Sequence, residues 1–230
     1  KPAAPPEAKF VSIEFDMVHI AAGCFEMGSP ISEDDRSADE RQHHVCVEPY
    51  AIGKTEVTQA QWQAAMGGNP SHFKCDGCPV ENVSWIDAMA FIAKLNAASG
   101  KHFRLPTEAE WEYACRGGRP GERYCGGVQV NSVAWTDSNS GDRTHTVGQK
   151  QANGFGIYDM SGNVREWTCS GSDEDYRGGE RQCANNASLY VTRGGSWYGA
   201  PRSARSADRN VHSPSDRGDL LGFRVARSLP

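Results

Sequence analysis

Residues 153–167 read Asn-Gly-Phe-Gly-Ile-Tyr-Asp-Met-Ser-Gly-Asn-Val-Arg-Glu-Trp. Gly154, Gly156 and Gly162 alternate there with large apolar side chains, and neither a helical nor a strand period runs through them. Glycine admits backbone angles that other residues resist, so the spacing predicts a tightly folded irregular segment. Phe155, Ile157, Tyr158, Met160 and Trp167 are too apolar for a solvated loop, which places the segment inside the protein. A buried segment without regular structure must still find partners for its N–H and C=O groups. Gly162-Asn163-Val164-Arg165-Glu166 offers an amide oxygen, carbonyls and a carboxylate, the hard oxygen donors that calcium takes. A turn whose Glu166 pairs with an arginine accounts for the same residues equally well.

Around this stretch, 230 residues provide enough chain for a sizeable core. A formal net charge of -5 and a pI near 5.8 argue against a nucleic-acid surface. No apolar run reaches membrane-spanning length. With 25 glycines, 12 prolines and 38% hydrophobic residues, the composition predicts a loop-rich domain rather than a helical bundle. Residues 1–14, opening KPAAPPEAK, read as a flexible tether, and 15–230 as one domain. The absence of an initiating methionine fits an exported product whose signal has been removed, and hence a periplasmic or secreted protein.

Cys24, Cys46, Cys75, Cys78, Cys115, Cys125, Cys169 and Cys183 make an even set. Sequence cannot choose among the pairings that eight cysteines allow, but the sequential one is preferred. Cys24 and Cys46 lie in two strand-like stretches, Cys75 and Cys78 flank an Asp-Gly turn, and the other two pairs close short loops. A zinc site would need a second close pair or matched histidines. Pro79 and its flanking turn residues argue against a thioredoxin-like CxxC. Structural disulfides imply an oxidising compartment.

Along the chain, 15–20, 24–27 and the two runs within 43–57 have strand composition, while Ser29–Gln42 reads as a charged, solvated insert. Thr58, Ser84 and Thr107 cap three helices, the last two with an acid completing a capping box and each stopped by glycine. Beyond Gly117 the pattern holds short strands and turns, with Arg193, Arg202, Arg205, Arg209 and Arg224 concentrated near the end.

Several blocks then occur in one order: Cys24–Gly28 (CFEMG), Glu56-Val57-Thr58, Pro79–Trp85 (PVENVSW), Arg104–Ala114 (RLPTEAEWEYA), Gly154–Met160, Gly162-Asn163-Val164, Glu166-Trp167, Arg193–Trp197 (RGGSW) and Gly222-Phe223-Arg224. From about residue 15 onward the chain resembles the formylglycine-generating enzyme, or sulfatase-modifying factor, family. That resemblance implies one α+β domain with little regular secondary structure, related to the C-type-lectin-like fold, and structural calcium. Carried over, one calcium site falls on Gly162, Asn163, Val164 and Glu166, and a second on Asn131, Ser132, Asn139 and Gly141. At Asn139 an amide replaces the family's carboxylate, which weakens the second site. Arg165 stands where relatives carry tryptophan, pointing to altered packing or an anionic neighbour.

Formylglycine-generating relatives place two cysteines just after the Gly-Gly-Ser motif, where thiolates bind copper(I). Here Tyr198–Arg209 contains none, so no copper site and no formylglycine chemistry are expected. Histidine-ligated iron, found in the related sulfoxide synthase of ergothioneine biosynthesis, has no comparable cluster in this chain. The arginines, with Ser196, Trp197 and the Arg193 and Arg224 motif positions, are expected to line a cleft for an acidic, aromatic or peptidic small molecule. Each arginine alone is better explained by pairing with an internal acid. Tyr198, Arg202 and Ser203 are the candidates for catalysis, and the redox cofactor is unknown. His145 and His212 read as structural.

Two function classes follow from the resemblance. One is an exported maturation protein, an oxidoreductase if it is an enzyme, that supports oxidation of a small peptidic substrate. Its family precedent is the periplasmic member required to oxidise the chromophore precursor of the siderophore pyoverdine. The other is a non-catalytic, calcium-stabilised module that binds a ligand or a protein. Neither involves nucleic acid or a membrane span, and oligomeric state is open.

Overall fold

The computed structural model describes residues 13–173 and 176–229; residues 1–12, and with them most of the expected tether, lie outside the described residues. Strands β1 (Met17–Ile20) and β2 (Gly23–Met27) lead to β3 (His43–Val47) and β4 (Tyr50–Gly53), close to the boundaries expected. Helices α1 (Gln59–Met66) and α2 (Trp85–Ser99) come next, then β5 (Phe103–Arg104) and α3 (Glu108–Arg116). Each helix carries a reciprocal capping box, Thr58 with Gln61, Ser84 with Asp87 and Thr107 with Glu110, and ends on a left-handed glycine. A single-turn α4 (Val130–Val133), β6 (Ala134–Trp135) and β7 (Ser161–Gly162) follow, then β8 (Arg165–Gly171), β9 (Tyr190–Arg193), β10 (Arg209–His212), β11 (Leu221–Gly222) and β12 (Ala226–Ser228).

Two four-stranded sheets result, ordered β1-β4-β12-β5 and β10-β9-β8-β11, beside the β2–β3 ribbon and the β6–β7 pair. Placing the last strand between β4 and β5 ties the C-terminus to the first third of the chain. One core gathers Trp62, Phe91, Trp167 and Phe223 against α2. A second gathers Met27, Tyr50, Trp111 and Met160 against α3. The fold is thus α+β with short strands and long connections, as expected.

All four disulfides pair sequentially: Cys24–Cys46, Cys75–Cys78, Cys115–Cys125 and Cys169–Cys183. Four such bonds suit an oxidising compartment. Among the described residues, no helix is long and apolar enough to cross a membrane.

The Asn153–Trp167 stretch is the joint between the cores. Asn153 donates from Nδ2 to the carbonyls of Ala114 (2.7 Å) and Cys115 (3.1 Å), satisfying the end of α3. Its Oδ1 accepts from the N–H groups of Phe155 and Ile157. Gly162 sits at φ 80°, and a Cβ there would lie 2.1 Å from the Trp135 carbonyl oxygen, so glycine is obligatory.

Most of the Ser29–Gln42 segment is exposed, as expected, with two exceptions. Ser29 and Glu40 are fully buried, and Arg205 grips Glu40 through two hydrogen bonds (2.5 and 2.8 Å) while also reaching Glu33 (2.8 Å). Charge density does not single out Glu33 and Glu40, which answer an interior arginine while Asp34 and Asp35 stay exposed.

Candidate functional site

Glu166 lies in β8 with no exposure, and its carboxylate accepts from Arg224 Nε (2.6 Å), Arg224 Nη2 (2.7 Å) and Trp111 Nε1 (2.8 Å). The arginine-paired reading of Glu166 is therefore realised. Two further carboxyls share this guanidinium's field. Asp159, at φ 57°, accepts the Gly148 N–H at 2.5 Å through Oδ2, while its buried Oδ1 has no partner. Both carboxylate oxygens of buried Glu56 are likewise without one. Desolvation first, then the charges of Asp159 and Glu166, push the Glu56 carboxyl well above its usual range. Desolvation also lifts Asp159, to about 6, against the lowering effect of the Gly148 bond and Arg224.

Three carboxyl groups around one guanidinium leave negative charge in excess, and three of their oxygens are orphaned. An orphaned buried carboxylate costs several kcal/mol unless a proton or a cation answers it. The orphaned oxygens of Glu56 and Asp159 fit a hard divalent cation such as calcium, whereas Glu166 already spends both carboxylate oxygens on Arg224 and Trp111. Within the ligand set carried over from the family, the Asn163 side chain is spent as well. Asn163 exchanges both amide atoms with His145, Oδ1 accepting from its N–H (3.0 Å) and Nδ2 donating to its carbonyl (3.2 Å), so it braces rather than ligates. Asp159 lies within the Asn153–Trp167 stretch, but no motif or spacing in the chain ties it to Glu56.

The second carried-over set does not fit a cation. The Asn139 amide spends Oδ1 on the Thr136 N–H (2.9 Å) and Nδ2 on the Ala134 carbonyl (3.0 Å) and Asn131 Oδ1 (3.2 Å). Ser132 accepts the Gln151 N–H through its carbonyl (2.9 Å). The Lys150 ammonium bonds the Asn131 carbonyl at 2.7 Å and lies 3.7 Å over the Trp135 ring. Gly141 adds no charge, so this loop is organised around a side-chain cation and an amide.

Four arginines expected to face a ligand are turned inward, each onto a buried acid: two of these acids lie on α3, one in the 29–42 segment and one on β8. Arg193 pairs with Glu112 and donates to the carbonyls of Ser206, Ala207 and Asp208. Arg209 holds Glu108 through two bonds (2.8 and 2.9 Å), Arg205 holds Glu40, and Arg224 holds Glu166. Arg165 finds its anionic neighbour in Asp208 at 3.2 Å. The remaining expected residues divide by exposure. Ser196 and Trp197 are buried, Trp197 being fixed by the Asn163 and Asp219 carbonyls, whereas Tyr198 is 64% exposed and Arg202 and Ser203 reach the surface. A Cβ on Gly195 would lie 2.5 Å from the Ser203 carbonyl oxygen, so the Gly-Gly-Ser turn is pressed against residues 203–204. His145 stacks on Trp135 (3.7 Å between centroids) and His212 packs edge-on against Trp167, both structural as read.

A cleft of about 380 Å³ opens beside Trp197, across the Phe73 ring that meets Trp197 edge-on at 5.2 Å. Lys74, Arg143, Thr144, His145 and Gln149 line it with Phe73, and no Asp or Glu is among the lining residues. Arg143 makes no ion pair among the described residues, although most arginines of this acidic chain do. Thr144 Oγ1 is buried and unpartnered. Its wall is set by the buried centre, since His145 hangs on Asn163 and Gly148 on Asp159. The cationic surface that sequence placed on residues 193–224 is thus supplied by residues 74 and 143–145, which have no distinctive spacing in the chain.

Comparison with known proteins matches residues 3–229 to the sulfatase-modifying factor enzyme 1-like domain family. The chaperone protein LppX of Paenibacillus barcinonensis is 30% identical, with 94% of this chain and 91% of LppX aligned. The inactive C-alpha-formylglycine-generating enzyme 2 of Bos taurus is 36% identical over 74% of this chain, which spans 57% of that protein's length. The structure of PvdO from Pseudomonas aeruginosa superposes with a TM-score of 0.81 at 32% identity, covering 99% of this chain and 100% of that one. The chain belongs to the sulfatase-modifying factor enzyme 1-like family.

Proposed function

We propose that this member of the family is an exported maturation protein that is not a formylglycine generator, and that it supports oxidation of a small, acidic, peptidic substrate such as the chromophore precursor of pyoverdine. The observation carrying the first half is the fate of the thiols. All eight cysteines are in disulfides, and the stretch after Gly195 holds none, with Ala204 buried against Tyr124, Val133 and Ala134. Copper(I) wants soft thiolates, and this segment offers no sulfur at all.

The second half rests on the acid-free cleft beside Trp197 and on the likeness to PvdO. Arg143 and Lys74 would hold carboxylates, the Thr144 hydroxyl would donate one hydrogen bond, and Phe73 offers a ring edge. Calcium, in this reading, would occupy the Glu56–Asp159–Glu166 centre and keep residues 143–148 in place; its role is structural. Tyr198 and Arg202 stand at the exposed rim of the same segment.

Incubating the purified, calcium-loaded chain with the reduced precursor, with and without oxygen, tests the proposal. Conversion that depends on the protein and falls in an Arg143→Ala variant supports it. Binding without any change in oxidation rate would leave the second reading, a calcium-stabilised binding module, which the chaperone and inactive relatives favour. Formylglycine appearing in a cysteine-containing sulfatase peptide would overturn both.

A further inference from the structure

Strands β2 and β3 place Cys24 directly opposite Cys46 and Glu26 directly opposite His44, on the ribbon's solvent face. Both cysteines of this disulfide are exposed. Each of the others has a cysteine that is at most 4% exposed: Cys78, Cys115, Cys125 and Cys169. The His44 ring bridges the two pairs. Its Nδ1 lies 3.0 Å from Glu26 Oε1, and its Nε2 lies 3.9 Å from Cys46 Sγ. Carboxylate, imidazole and sulfur therefore form one relay, the arrangement that activates or stabilises a thiolate elsewhere.

We propose that Cys24–Cys46 is a thiol–disulfide exchange site, with His44 as the acid that serves the departing Cys46 sulfur and Glu26 as the residue that positions His44. The partner is a solvent-accessible dithiol of a thiol oxidoreductase. Its thiolate attacks Cys24 Sγ in line with the S–S bond, forming a mixed disulfide. The Sγ–Sγ bond breaks, its electron pair goes to Cys46 Sγ, and the His44 imidazolium passes its Nε2 proton to that sulfur. The partner's second thiol then attacks the mixed disulfide, releasing Cys24 as a thiol. Two electrons have moved to this chain and the partner leaves oxidised. Running the steps backwards, the reduced pair would reduce a partner disulfide. Exposed disulfides are the labile ones, whereas Cys115–Cys125 and Cys169–Cys183 are anchored in the two cores and Cys75–Cys78 only closes a turn.

The test treats the intact chain with limiting reduced thioredoxin, quenches by alkylation, and reads each cysteine by mass spectrometry. Cys24 and Cys46 should be alkylated first, about tenfold or more faster than Cys75–Cys78 and Cys169–Cys183. His44→Ala should slow that reduction about tenfold or more with an unchanged melting temperature. Glu26→Gln should slow it less, and Glu26→Asp should restore it. A thioredoxin lacking its resolving cysteine should be trapped on Cys24 rather than Cys46. Reduction no faster than at Cys169–Cys183, or a His44→Ala rate equal to wild type, would overturn the proposal.

Discussion

Replacing Arg193 by leucine separates a structural arginine from a substrate-binding one. Arg193 has no exposed surface and donates to Glu112 and to the carbonyls of Ser206, Ala207 and Asp208, so it staples the segment after the Gly-Gly-Ser turn onto α3. Leucine fills part of the volume but leaves Glu112 with Arg116 as its remaining guanidinium (2.6 Å) and strips donors from those carbonyls. Breaking a buried pair from one side costs about 3–5 kcal/mol, because the surviving charge stays buried. In a domain of this size each kcal/mol moves the midpoint by roughly 2–4 °C, so the melting temperature should fall by about 6–20 °C. Differential scanning fluorimetry with and without calcium measures it. Arg143→Ala is the control, an exposed position where less than about 0.5 kcal/mol is expected. An Arg193→Leu protein that melts within about 2 °C of wild type yet loses ligand binding would refute the inward assignment.

Removing calcium with a chelator should lower the melting temperature by roughly 5–10 °C, since a cation at a hundred times its dissociation constant contributes about 2.7 kcal/mol. Asp159→Asn should abolish that chelator response, and Asn139→Ala should leave it intact. Burial pushes the Glu40 carboxyl up, but hydrogen bonds from Arg205 and Ser29 outweigh it and hold its pKa below 4.5. A lowered folded-state pKa stabilises above the unfolded value and is lost as pH falls through the folded one. Hydrogen-exchange protection factors across residues 29–42 should therefore hold from neutral pH to about 4.3 and fall below it. Arg143→Ala should weaken binding of an N-acetylated acidic dipeptide about tenfold by calorimetry, the loss of one charge-assisted contact, without moving the melting temperature.

What could be read from the chain was what short-range chemistry writes locally. Thr58, Ser84 and Thr107 announce their helices through residues three positions on, and the structure closes all three boxes. Sequential disulfides were legible because each pair closes a local loop or a neighbouring strand. Long-range electrostatics was not. Nothing local to Glu40 says that Arg205, 165 positions further on, will hold it. The inward arginines answer buried acids far away in the chain, Glu108 and Glu112 on α3, Glu40 and Glu166, and no local spacing pairs them. The charge centre became visible only when the fold set Glu56, from far earlier in the chain, against Asp159 and Glu166. The same holds for the cleft, whose lining comes from a disulfide turn and a polar loop that meet only in space.

The most direct measurement is the product of one reaction mixture. Purified calcium-loaded chain is given the reduced pyoverdine chromophore precursor and a cysteine-containing sulfatase peptide together, and mass spectrometry follows both. The account predicts a precursor lighter by two hydrogens, protein-dependent and diminished in Arg143→Ala, beside an unmodified peptide. Formylglycine in the peptide, or a precursor that neither binds nor changes, would contradict it.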